Sequence, residues 1–307
     1  MSFRIEGLVA APHTPMHPDG RINMGAIDRQ AALLHSSGVA GVFVCGTTGE
    51  GLSMTSAERM DVAARWIQVA PKGLTVIVHV GHASVTEARA LAAHAEKSGA
   101  AAIGAMAPFF FKPSSPADLA AVCAEIAGGA PETPFYYYHI PSMTGVAMPM
   151  VRFLEAAAGR VPTLAGIKYT YEDMMDFELC RAFDGGRFDM LFGRDEALLC
   201  GLALGARGAV GSTYNFAAPL YLEIIRAFDA GDLATARRLQ RRSMELIQLL
   251  IAAPSGFMHA AKSMMKVLGV DCGPVRPPLK NLTAEQFKAL EAGLERLKFS
   301  EYAPRSA

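Results

Sequence analysis

Short apolar runs rich in β-branched or aromatic residues recur along the chain. They fall at 7–11 (GLVAA), 41–46 (GVFVCG), 75–81 (TVIVHVG), 101–108 (AAIGAMAP), 134–140 (PFYYYHI), 164–170 (LAGIKYT), 189–195 (DMLFGRD) and 207–213 (RGAVGST). Most lack polar alternation, which predicts strands buried on both faces. Between them lie stretches with helical spacing, such as 55–70 and 84–100. Thr55 with Glu58, and Ser84 with Glu87, have the spacing of capping boxes, and Gly99 is a natural stop. Strands alternating with helices predict βαβ units and a parallel sheet. Eight such units over about 215 residues predict an α/β fold, a (β/α)8 TIM barrel, whose usual size is ~250 residues. An open doubly wound sheet is the alternative, but it would carry a Gly-rich turn after its first strand, and APHTPMHPDG is not one.

Beyond residue 215 the strand pattern stops. Residues 219–270 read as three helices broken at DAGD and APSG, and GPVRPPL (273–279) leads to a last amphipathic helix near 283–297. The first of these helices would close the barrel. The expected organisation is a catalytic barrel over 1–230 and a C-terminal helical extension over 231–307.

The chain has 307 residues, 51% hydrophobic and 19% charged, which predicts a well-cored globular protein. Lys plus Arg and Asp plus Glu are both 29, so no basic excess points to nucleic acid or an anionic membrane. The five cysteines are scattered and include no C-x-x-C pair, which predicts free thiols in a reducing compartment. MSFRIEGLVAAPHTP has no signal-peptide pattern, and no window approaches the roughly 18 apolar residues of a membrane span. A cytoplasmic location is expected.

The candidate chemistry sits at strand ends, where these barrels carry their catalytic groups. Lys168 stands in an otherwise apolar run, with no carboxylate before Glu172 and Asp173. By the period of two it shares the inner face with Leu164 and Gly166, while Ala165, Ile167 and Tyr169 face the helices. Gly166 would leave space beside it. A lysine there loses hydration and becomes a neutral nucleophile suited to a Schiff base with a ketone, or else it snorkels out at the strand end. Tyr136 and Tyr138 share one face of strand five, so a tyrosine could move a proton there, or simply pack. In GTTGEG (46–51) backbone N–H groups and the Thr47 and Thr48 hydroxyls form a nest for a small carboxylate, without the lysine of a nucleotide-binding loop. Asp195 and Glu196, with Ser212 and Thr213, could hydrogen-bond a polyol or cap helices. His79 and His82 lack a third ligand nearby in sequence, so no metal is expected, and no G-x-S-x-G elbow occurs.

GTTGEG, YYYHIPSMTG, GIKYT and GSTYN stand in this order, and together they resemble the pyruvate-dependent class I aldolase superfamily. That group includes N-acetylneuraminate lyase and dihydrodipicolinate synthase, and the likeness covers essentially the whole chain. PFYYYHIPSMTGV and GSTYN look most like the lyase branch, particularly its animal form. The resemblance implies that Lys168 is the Schiff-base lysine, Tyr138 the proton-transfer residue, and Thr47 and Thr48 the holders of the pyruvate carboxylate. It further implies that Thr170, Gly193, Asp195, Glu196 and Ser212 contact the sugar portion of the substrate. Synthases of this superfamily carry an arginine where this chain has Met143. They also carry an interface tyrosine where it reads Phe109-Phe110-Phe111. Both departures favour the lyase, although the second leaves its proton relay less complete than in relatives that keep a tyrosine nearby.

The expected activity is cleavage of N-acetylneuraminate to N-acetylmannosamine and pyruvate, with no metal or organic cofactor. The partner is a small 2-keto acid, not nucleic acid or membrane. The alternatives are a sibling aldolase acting on another 2-keto-3-deoxy acid, a dihydrodipicolinate synthase, and a non-catalytic ligand-binding barrel. By the same resemblance a homotetramer is expected, with dimer contacts near 109–111.

Overall fold

In the computed structural model, which describes residues 3–304, eight parallel strands close into one barrel. They are β1 (Gly7–Ala10), β2 (Gly41–Val44), β3 (Thr75–His79), β4 (Ala102–Met106), β5 (Phe135–His139), β6 (Leu164–Tyr169), β7 (Asp189–Phe192) and β8 (Gly208–Gly211). Each pairs with its neighbours in sequence, and β1 with β8 completes the ring. Every strand matches one of the eight apolar runs but ends one to three residues before it. The trimmed residues leave the ladder to build the loops that carry polar groups.

Two apolar layers follow from the parallel strands. Val9, Phe43, Ile77, Leu191 and Val210 fill the barrel, while Val42, Val44, Tyr137, Ile167 and Tyr169 pack outward on the helices. Thr55 and Glu58 make the reciprocal capping box expected of them. Ser84 caps its helix too, but the Glu87 carboxylate accepts from Ser56 Oγ instead, so that box is half made. Gly99 ends the helix in the left-handed conformation.

Strand β6 departs from simple alternation. Phe135 pairs with Leu164 but Tyr136 pairs with Gly166, so Ala165 is an extra residue in the ladder. Such a bulge turns two consecutive residues to one side, and Ala165 joins the interior cluster rather than the helix layer. Gly166 also differs from expectation. A Cβ there would lie 1.8 Å from the Asp189 carbonyl oxygen, so this glycine permits a close approach of β7 rather than leaving a void.

After β8 come helices at Tyr214–Asp229, Leu233–Ile251, Phe257–Val267 and Ala284–Arg296. The first begins ahead of the expected start, with Pro219 inside it and a break in helical dihedrals at Ala217. The DAGD and APSG breaks and the last helix fall where the pattern puts them, and Thr283 with Gln286 caps that helix.

Candidate active site

Lys168 and Tyr138 are register partners, each one residue before the end of its strand. Both point into the C-terminal mouth of the barrel. The Lys168 Nζ lies 3.4 Å from the centroid of the Tyr138 ring, 4.9 Å from that of Phe43, and 3.5 Å from Thr170 Oγ1. Lys168 is only 4% exposed. Burial drives its pKa well below the usual lysine value, and the charge of Asp195 offsets this only in part. The amine is thereby biased toward the neutral, nucleophilic form.

The Tyr138 hydroxyl is 3.4 Å from Thr47 Oγ1, and its ring is held edge-on by Phe43 and His79. Burial pushes its pKa up to about 12, against the pull of the Thr47 and Thr170 hydroxyls, so the resting phenol is protonated. Tyr136 faces the interior at the opposite end, where its hydroxyl donates to Asp189 Oδ2 at 2.7 Å. Between the two inward tyrosines, only Tyr138 reaches Lys168.

Strand β2 runs into a turn closed by Gly51 N donating to Gly46 O at 3.1 Å. Thr48 Oγ1 then meets Ser212 Oγ, from the end of β8, at 2.7 Å. A cavity of about 120 Å³ is lined by Thr47, Thr48, Tyr138, Lys168, Thr170, Gly193 and Ser212, closed by Phe43, Ile140, Val210 and Met258. Seven of the nine candidate residues are thus brought together. A larger chamber of about 310 Å³ adjoins it, shares Thr47 and Met258, and carries Phe109 and Met143 on its walls.

Asp195 and Glu196 diverge. Asp195 is buried behind Gly211, where a Cβ would strike its carboxylate at 2.2 Å, and it accepts from Thr213 N and Thr213 Oγ1 at 2.8 and 2.7 Å. It reaches across to Thr213, just past the end of β8, and does not cap the turn that begins at its own position. Burial raises its pKa to about 6. Glu196 turns to Arg194 Nε at 2.8 Å and does not line the cavity. Gly193 lets the chain pass Thr170, whose hydroxyl would sit 2.0 Å from a Cβ placed there.

His79 and His82 point to different tasks. His79 Nδ1 faces Cys45 O at 3.1 Å, and burial holds it neutral; His82 Nδ1 accepts from Ser84 N. Among the described residues no three His, Cys, Asp or Glu side chains converge as a metal set, and no helix is long and apolar enough to cross a membrane.

Sequence reasoning missed Phe43, Ile140 and Met258, apolar residues whose type carries no chemical signal. It also missed Glu50, whose sign was a carboxylate inside a glycine turn; that side chain is buried and paired with Lys262.

Comparison with known proteins bears on the fold and the family. Mouse N-acetylneuraminate lyase is 41% identical over 299 residues, spanning 96% of this chain and 93% of the mouse protein. The structure of Proteus mirabilis N-acetylneuraminate lyase matches with a TM-score of 0.94 at 41% identity, covering 97% of this chain and all of that one (100%). The sialic acid aldolase of Aliivibrio salmonicida matches with a TM-score of 0.94 at 40% identity, covering 97% and 98%. The family model described as the dihydrodipicolinate synthetase family matches residues 4–297. With a closed barrel, a buried lysine on β6 and a match that runs nearly end to end, the chain belongs to the dihydrodipicolinate synthetase family.

Proposed function

We propose that this protein is a class I aldolase, a carbon–carbon lyase that cleaves N-acetylneuraminate to N-acetylmannosamine and pyruvate. The observation that carries the reading is Lys168, buried among aromatic faces with its pKa depressed and Tyr138 beside it. The likeness to proteins named N-acetylneuraminate lyase supplies the substrate.

The neutral Lys168 Nζ attacks C2 of the open-chain sugar acid, and loss of water gives an iminium. Its positive nitrogen withdraws electrons from the C3–C4 bond. Because the Tyr138 phenol is protonated at rest, it relays rather than abstracts: it passes its proton to the substrate carboxylate as it accepts that of the C4 hydroxyl. The C3–C4 bond breaks to release the aldehyde sugar and an enamine of pyruvate, which is protonated and hydrolysed to regenerate Lys168. Thr47 and Thr48 hold the carboxylate. The polyol passes Thr170, Gly193 and Ser212, with Asp195 and Glu196 supporting that side.

Met143, 62% exposed and apolar, offers no cation for a second carboxylate, which favours a lyase over a synthase. Phe110 and Phe111, 77% and 86% exposed, support a face that pairs with another copy in a homotetramer. Residues 1–230 act as the catalytic barrel and 231–307 as its helical extension. Five unbridged cysteines suit the cytoplasm.

Pyruvate release from N-acetylneuraminate, assayed beside a panel of 2-keto-3-deoxy acids, tests the substrate. Turnover of N-acetylneuraminate at a higher kcat/KM than any other acid is expected. Preference for another acid would reassign the enzyme to a sibling aldolase. Sedimentation as a monomer at assay concentration would overturn the tetramer.

A further inference from the structure

The turn that carries Thr47 and Thr48 is tied to the C-terminal helices by one buried ion pair. Lys262 Nζ donates to Glu50 Oε1 at 2.7 Å, with side chains 0% and 2% exposed, and also to Pro274 O at 2.6 Å. The other carboxylate oxygen of Glu50 accepts from Arg276 N at 2.8 Å. Glu50 therefore finds its side-chain partners 212 and 226 positions further along the chain.

The turn itself is conformationally costly. Cys45 and Glu50 have φ of 58° and 54°, a region that side chains other than glycine seldom enter. Strained backbone persists where its surroundings over-determine it, and it clusters at functional sites. A buried ion pair adds little net stability, because desolvation offsets the attraction. Its effect is to fix one geometry. Lys262 and Met258 stand four residues apart on the helix Phe257–Val267 and so share a face. One helix thus puts Met258 against both chambers and Lys262 beneath the turn.

We propose that Glu50 and Lys262 are positioning residues that hold the Thr47 and Thr48 hydroxyls in register with Lys168. The C-terminal helices thereby form part of the carboxylate subsite. The proposal rests on the Schiff-base reading of Lys168.

The test compares borohydride trapping of pyruvate with that of acetone, a ketone without a carboxylate, in wild type, Glu50→Gln, Lys262→Met and the double variant. The expected result is a rise of about tenfold or more in the pyruvate concentration for half-maximal trapping, as for loss of hydrogen bonds to a charged group. Acetone trapping should stay within about twofold of wild type, as should the fraction of Lys168 finally labelled. Pyruvate trapping unchanged in folded variants, or pyruvate and acetone trapping falling together, would overturn the proposal. Glu50→Gln keeps the side-chain shape and carries the comparison if Lys262→Met does not fold. A wild type that traps no pyruvate would overturn the aldolase reading instead, so the two failures are distinct.

Discussion

Tyr138 and Lys168 stand side by side on neighbouring strands, and the Lys168 nitrogen lies 3.4 Å from the centre of the Tyr138 ring. The ring contributes in two ways. Its face attracts a cationic nitrogen more than a neutral one, so it favours the iminium once formed. Its hydroxyl lies 3.4 Å from Thr47 Oγ1, and in the proposed mechanism it moves the C4 proton.

These two contributions separate by mutation. Tyr138→Phe keeps the ring, so adduct formation with pyruvate should stay within a few-fold of wild type, while kcat for cleavage falls about 10²–10⁴-fold. Tyr138→Leu should impair both steps. Equal loss of trapping in both variants would show that the hydroxyl, not the ring, supports the adduct.

Replacing the lysine tests its electrostatic cost. Its pKa is depressed in the folded state by burial. Below the unfolded value of about 10.4 the unfolded chain binds this proton more readily, and stability rises with pH across the window between the two values. Lys168→Met fills the same space without the charge. It should abolish turnover and melt at or above the wild-type temperature at pH 7, with a flatter dependence of stability on pH. A markedly lower melting temperature would mean that Lys168 supports the fold.

Asp195 gives a second pH-dependent outcome. Its pKa is raised to about 6 by burial, against about 3.9 unfolded, so the folded state holds the extra proton and stability falls as pH rises through that window. Asp195→Asn should flatten this slope in denaturant titrations. It should also move the acid limb of the pyruvate-trapping rate to lower pH, since Asp195 favours the charged form of Lys168. An acid limb that moves to higher pH would contradict this coupling.

Gly211 is required by the same carboxylate. A Cβ at that position would lie 2.2 Å from Asp195 Oδ1, and Asp195 is fixed by two bonds from Thr213. Gly211→Ala should cost about 1–3 kcal/mol in chemical unfolding, the usual penalty of overpacking. A change below about 0.5 kcal/mol would show that Asp195 can move aside, since harmless substitutions fall in that range.

Much of this was legible because parallel strands buried on both faces leave continuous apolar runs, and a lysine in such a run stands out. The strand positions and the helix breaks at 229–232 and 253–256 follow from pattern alone. For Lys168 the pattern left a buried amine and a snorkelling one both open, and its 4% exposure decides for the buried one. The Ala165 bulge does not follow from pattern, because a period of two assumes an uninterrupted ladder. The reach of Asp195 to Thr213 and of Lys262 to Glu50 was hidden for another reason. Those contacts join segments distant in sequence, and a charged residue on an amphipathic helix usually faces water.

The most direct test is borohydride reduction in the presence of pyruvate, followed by peptide mapping. A stable three-carbon adduct on Lys168, absent without pyruvate and absent from Lys168→Met, is the predicted result. An unmodified Lys168, or an adduct confined to another lysine such as Lys262, would contradict the account.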